Sequence, residues 1–171
     1  AFAMGQLYHK NLTITNASAI CYCWTILNTV QPSYGATRSL FVVDKQNGFV
    51  PEASSDQLRV FGAFSRYVKK GMQRVVVDSG CEDLLVSAYK GGWGKGTVVM
   101  LNRSVSPISV DVDWAGVNFK TIERSSPYMA NCGEKYDNSG AITVEPGEIV
   151  TITNVELHNA DTNSGKVKKK G

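Results

Sequence analysis

The sequence lacks several things, and each absence narrows the possibilities. No segment has the roughly 18 uninterrupted apolar residues that a membrane helix needs, so a helical span is not expected. The chain does not open on a basic stretch followed by an apolar core, so its start does not read as a signal peptide. It lacks an initiator methionine, and no Ser, Thr, Asp or Asn caps the helical pattern that begins near Phe2; a polypeptide continuing upstream is expected. Charge of one sign is scarce: 18 basic against 15 acidic residues give +3, too little to argue for nucleic acid. Lys166, Lys168, Lys169 and Lys170 lie in the tail, and without them the body is near −1, so residues 158–171 read as a flexible, solvated basic end. Histidine is limited to His9 and His158, which form no nucleophile–base set and read as surface or packing residues. Nothing in the chain requires a metal or a cofactor.

What is present is a dense series of strand patterns around Phe64–Trp114. Met72–Val77, Leu84–Tyr89 and Thr97–Leu101 are short, rich in β-formers and separated by turn residues. Lys90-Gly91-Gly92-Trp93-Gly94-Lys95-Gly96 joins two of them as a glycine-rich hairpin, with Trp93 at the tip. Ile108, Val110, Val112 and Trp114 alternate with Ser109, Asp111 and Asp113, the period of a strand with one dry face. Phe119–Glu123, Ala141–Val144 and Ile149–Val155 add three more candidates, giving about seven short strands after Gly71 and an antiparallel sandwich.

Before Gly71 the pattern differs. Phe2, Met4, Leu7 and Tyr8 predict a helix that stops near Asn11–Asn16. Ala17–Leu27 reads as a buried strand covered on both sides. Asn28–Ala53 is a long irregular section with a short strand at Leu40–Val43, and Ser54-Ser55-Asp56 caps a second helix ending at Lys69-Lys70 and Gly71. Helix, strand, helix makes no domain, because one strand has no sheet.

Cys21 and Cys23 would face the same side of a strand, so they read as reduced, buried residues rather than a disulfide or metal pair. Cys81 and Cys132 stand in turn contexts and are the favoured disulfide, although sequence does not fix connectivity. Such a bridge would contribute on the order of 4 kcal/mol in the chain-entropy model. Sequons at Asn11, Asn16 and Asn102 are potential glycosylation sites and fit a secreted, extracellular protein.

The runs FSRYVKKGMQRV, LLVSAYK and GTVVMLNRS resemble the helix-to-sandwich junction of family-30 glycoside hydrolases. The resemblance implies a mainly β chain: an antiparallel β-sandwich side domain preceded by the last helix–strand–helix of a (β/α)8 barrel. Residues 1–70 would be the barrel fragment and 71–157 the sandwich. Phe2–Thr13 is similar to the seventh barrel helix, the run from Asn16 to Trp24 enters the eighth strand, and Asp56–Lys70 resembles the eighth helix.

The family's retaining chemistry needs two carboxylates about 5–5.5 Å apart across a glycosidic bond. In the family these lie on the fourth and seventh strands, which would precede Ala1, so no catalytic residue is expected in this chain. Glu52, Asp56, Glu82, Asp83, Asp111, Asp113, Glu123, Glu134, Asp137, Glu145, Glu148 and Glu156 read as solvated surface groups. The end of the eighth strand would face substrate, with Trp24 as a floor for a sugar ring and Asn28 beside it. Pro32-Ser33-Tyr34-Gly35 resembles a loop that helps bind glucuronate in glucuronoxylan-cleaving members, making Tyr34 a candidate. Those members carry arginine where Leu27 and Asn28 stand here, which argues against glucuronate dependence. Trp93 is a second stacking candidate. The expected partners are a polysaccharide or oligosaccharide and the upstream barrel segment, with no nucleic acid and no membrane. A non-catalytic carbohydrate-binding module and a structural β-domain are the alternatives.

Overall fold

A computed structural model describes residues 2–23, 25–28, 39–43, 48, 52–53, 56–126, 133–138 and 140–157. Its centre is a six-stranded antiparallel sheet. In spatial order the strands are β4 (Gln73–Val75), β5 (Leu84–Lys90), β6 (Gly96–Asn102), β11 (Ile149–Thr153), β8 (Thr121–Ser125) and β9 (Glu134–Lys135). The β5–β6 hairpin pairs from Leu84↔Asn102 to Lys90↔Gly96, and β11 pairs with β6 from Ile149↔Leu101 to Thr153↔Thr97. Every residue of β6 is buried, because this strand is covered on both faces.

Side-chain alternation divides the sheet into two walls. Leu84, Ala88, Val98, Met100, Ile122, Val150 and Ile152 form one core with Ile142 and Val144. The last two lie on β10 (Ile142–Val144), which pairs antiparallel with β7 (Ile108–Val110) as a second sheet. Phe119 and Trp114 fill the same core, their ring centroids 6.2 Å apart. Tyr89, Val99, Leu101 and Ile149 point the other way and meet Tyr8, Val60, Ala63 and Phe64. These come from α1 (Phe2–Thr13) and α2 (Asp56–Ser65). The chain is thus mostly β, with an antiparallel sandwich on one side of the main sheet and two helices on the other. No helix occurs among the described residues of 75–155.

Local chemistry explains the helix ends. Gly5 lets α1 sit on the sheet: a Cβ there would lie 2.6 Å from Ile149 Cδ1 and 3.0 Å from Leu101 Cδ2. Asn16 closes α1 in the left-handed region (φ 51°), with the Ala17 amide donating to the Asn11 carbonyl at 2.8 Å. α2 stops at Ser65, short of Lys70, and its chain reverses at Gly71 (φ 88°). Two sheet threonines receive its end: Thr151 Oγ1 donates to Ala63 O and Thr97 Oγ1 donates to Tyr67 O, both at 3.0 Å. Carbonyls that a helix terminus leaves without partners are satisfied by the sheet itself.

Several expectations change. Among the described residues of Ala17–Leu27 only Ile26 and Leu27 lie in a strand, β1 (Ile26–Asn28), and Cys21 and Cys23 are exposed free thiols rather than buried ones. A strand exists where a neighbour satisfies its backbone, and β1 has one over three residues. It pairs in parallel with β2 (Phe41–Val43), which also pairs with β3 (Glu52–Ala53). The first part therefore does have a small sheet. Residues 17–23 run instead across α2, where Tyr22 OH donates to Gln57 Oε1 and the Tyr22 ring lies 5.9 Å from Phe61. The alternation at Ile108–Trp114 is kept in burial, yet the ladder ends at Val110. Ser54 and Ser55, the expected caps of α2, lie outside the described residues.

Candidate functional site

Of the expected sugar-contacting residues, only Trp93 has a described side chain. Trp24 and Tyr34 lie outside the described residues, as does the side chain of Asn28, whose backbone ends β1. Trp93 sits on a different sheet, at the tip of the β5–β6 hairpin, and is 99% exposed. Cys81 is a free, half-buried thiol packed against the sandwich core, so the bridge to Cys132 is not formed; Cys132 itself lies outside the described residues. Turn context brought Cys81 to the core edge, where packing rather than pairing occupies its sulfur.

Asn102 is also corrected as a glycosylation site. It is fully buried, and its Nδ2 donates to Ser106 O and Val144 O, each at 2.8 Å. The nitrogen that would carry a glycan is engaged in holding β6 to the small sheet. Asn16 is exposed, with its Oδ1 accepting from Arg74 Nη2 at 2.9 Å. Asn11 is half-buried within α1.

Two of the carboxylates expected to be solvated are buried. Glu123, on β8, accepts from Arg66 Nη1 and from Tyr67 OH, each at 2.5 Å. Burial pushes its pKa up, and the hydrogen bond from Tyr67 and the charge of Arg66 oppose that. Glu148 is 1% exposed; Arg124 Nη1 donates to both its oxygens at 3.0 Å, and the Glu145 amide donates to Oε2 at 2.9 Å. A charge buried away from water needs such partners. Both act as locks: Glu123 ties β8 to the end of α2, and Glu148 ties the start of β11 to β8. Neither stands as an open proton donor facing an open nucleophile, which is what glycoside cleavage requires. The sequence signal that was available is Arg66-Tyr67 at a helix end and Arg124 one residue from Glu123, but only the fold shows which carboxylate each arginine meets.

A concavity of about 780 Å³ lies where the end of α1 and residues 16–20 face α2, β4 and β5. Tyr8, Phe61, Phe64 and Tyr89 give it aromatic walls, and Lys69 and Arg74 add positive charge. Burial, with a smaller contribution from Tyr22, pushes the Tyr8 phenol up to about 12, so it stays neutral. Among the described residues no carboxylate lines this groove; they can hold a ring or an apolar segment but form no acid–base pair. A second cleft of about 460 Å³ opens beside β4, with Trp114, Lys90 and the exposed Asp78, Asp111 and Asp113. Among the described residues, no three His, Cys, Asp or Glu side chains are grouped to hold a metal ion. No helix among them is long and apolar enough to cross a membrane.

No family model and no curated protein matches this sequence. Solved structures do match by shape. The glycoside hydrolase family 30 subfamily 8 xylanase Xyn30A from Clostridium acetobutylicum superposes with a TM-score of 0.66 at 19% identity, covering 89% of this chain and 38% of that one. The catalytic domain of the GH30 xylanase C from Talaromyces cellulolyticus gives 0.72 at 15% identity, over 92% and 35%. A GH30 endoxylanase from Clostridium papyrosolvens gives 0.59 at 18%, over 89% and 37%. The chain spans less than two fifths of each of these structures, and at such identity the likeness establishes fold. In fold, this chain is similar to the C-terminal part of a family-30 xylanase.

Proposed function

We propose that the chain is the C-terminal portion of a retaining glycosidase that acts on a plant cell-wall polysaccharide such as xylan. The observation that carries this is the superposition of about nine tenths of the chain on little more than a third of three family-30 xylanases. In this proposal α1, β1 and α2 are the last elements of the barrel, the sandwich begins after Gly71, and the protein works outside the cell. The two catalytic carboxylates belong to sequence outside Ala1–Gly171. Trp24, Asn28 and Tyr34 contribute glycan contacts at the mouth of the barrel. Support for the missing carboxylates comes from within the chain as well. Its buried glutamates, Glu123 and Glu148, are each held by an arginine, and among the described residues no carboxylate lines the groove between α1 and α2.

The test is reducing-sugar release from xylan, β-1,6-galactan and β-glucan by the purified chain beside a version extended upstream. The short chain should show no turnover, and the extended one should cleave one of the three. Comparable rates from both would show that the catalytic groups lie within this chain.

A further inference from the structure

Trp93 combines two features that a purely structural residue does not. It occupies the left-handed region (φ 59°), followed by Gly94 (φ 69°), and the Lys95 amide donates to the Gly92 carbonyl at 3.2 Å. Positive φ at both central positions is the type I′ hairpin turn, whose favoured residues are Asn-Gly, because a large side chain in this region is strained. Yet the indole is 99% exposed and packs against nothing in the chain, so no contact within the fold offsets that strain.

The backbone beneath it is fixed from several sides. Asn154 Nδ2 donates to Gly94 O at 2.9 Å, and the Gly96 amide donates to Asn154 Oδ1 at 2.8 Å. Lys95 Nζ donates to Asn154 O at 3.1 Å. The Gly96 Cα is closed in by Val117 and Trp114, leaving no room for a Cβ. The turn is held and the ring is presented. Strain that the surroundings maintain, at a side chain with no internal role, points to a role toward a ligand.

The surroundings also narrow the ligand. Gly91, Gly92 and Gly94 give no side chains beside the ring, so the apolar surface is one indole with both faces open. A stable protein partner needs about 800 Å² per side with a buried centre, which one ring does not supply. A pyranose needs one flat face: its C–H hydrogens lie against the negative face of the ring. Lys95 and Glu156, both solvent-accessible at the loop base, provide groups suited to sugar hydroxyls.

We infer that Trp93 is the stacking platform of a glycan-binding subsite on the sandwich, retained in a conformation that costs the fold stability. The choice of glycan rests on the function proposed above; the strained display does not. The experiment uses the full chain in native gels containing soluble xylan, β-1,6-galactan or β-glucan, with thermal unfolding in parallel. Wild type should be retarded by at least one polysaccharide. Trp93→Asn should lose that retardation while its Tm rises by about 2–4 °C, as expected for relief of roughly 1 kcal/mol in a domain of this size. Trp93→Tyr should keep partial retardation without the gain in Tm. Absence of retardation for wild type, equal retardation for Trp93→Asn, or a Trp93→Asn chain no more stable than wild type would each overturn the inference. Retardation that depends on Trp93 supports the subsite whether or not the extended protein hydrolyses xylan, so the two proposals fail separately.

Discussion

Two titratable side chains in this molecule respond to burial in opposite directions. His9 lies on α1 against the sheet, 8% exposed, and burial, with the charge of Arg74 second, lowers its pKa from 6.5. The unfolded chain therefore binds a proton that folded His9 refuses, so stability falls as pH drops below 6.5. Glu123 has a raised pKa, chiefly through burial. Its folded form keeps the proton after the unfolded form has lost it, so this contribution is present below 4.5 and is lost as pH rises through the raised value. Glu123→Gln keeps the shape but cannot ionise. The variant's Tm should lose part of the wild-type decline as pH rises above 4.5. Parallel curves for the two proteins between about pH 4 and 7 would show that Glu123 is ionised equally in both states.

At the scale of elements, α1 depends on one missing side chain. Its Gly5 would ordinarily weaken a helix by about 1 kcal/mol relative to alanine, yet it is the point where the helix backbone meets Ile149 and Leu101. Gly5→Leu should destabilise the chain by about 1–3 kcal/mol, because added atoms in a filled core force the helix off the sheet. Urea unfolding would measure it; a variant as stable as wild type would mean that α1 can shift freely. The same placement was only partly visible in the sequence. The apolar stripe of Phe2, Met4, Leu7 and Tyr8 marked a helix, but Leu7 is 47% exposed while Gly5 and His9 are buried. Hydrophobicity identified the element and most of its inner face, since Phe2, Met4 and Tyr8 pack on the core, but it missed Gly5, where the backbone itself makes the close approach.

For the whole molecule, the six-stranded sheet is the common wall of both cores. Met100 and Val150 look into the sandwich, and Val99, Leu101 and Ile149 look toward the helices. Displacing β6 or β11 therefore disrupts both cores together. Denaturant unfolding followed by tryptophan fluorescence and by far-ultraviolet circular dichroism should therefore give one coincident transition. Two separated transitions would mean that α1 and α2 detach from an intact sandwich.

The sequence by itself determined all but β9 of the described strands after Gly71, because β-formers in short runs between Gly, Pro and Asn can bury an apolar face in only a few ways; the charged pair Glu134-Lys135 carries no such pattern. It determined the β5–β6 hairpin through its glycines, and the resemblance to family 30 through the junction runs. Tertiary structure decided which faces are dry. Thr151 and Thr153 alternate with Val150 and Ile152 as a solvated face would, yet both threonines are buried beneath the helix layer, with Thr151 bonded to Ala63 and Thr153 to Gly96. Glu123 and Glu148 likewise read as surface groups until Arg66, Tyr67 and Arg124 met them inside. The apolar run Ala17–Leu27 read as a buried strand, but among its described residues only Ile26 and Leu27 pair in a ladder. In each case the reason is the same. A polar group can be buried, and an apolar strand can form, only where a distant segment supplies its partner, and that pairing is set by the fold rather than by the local pattern.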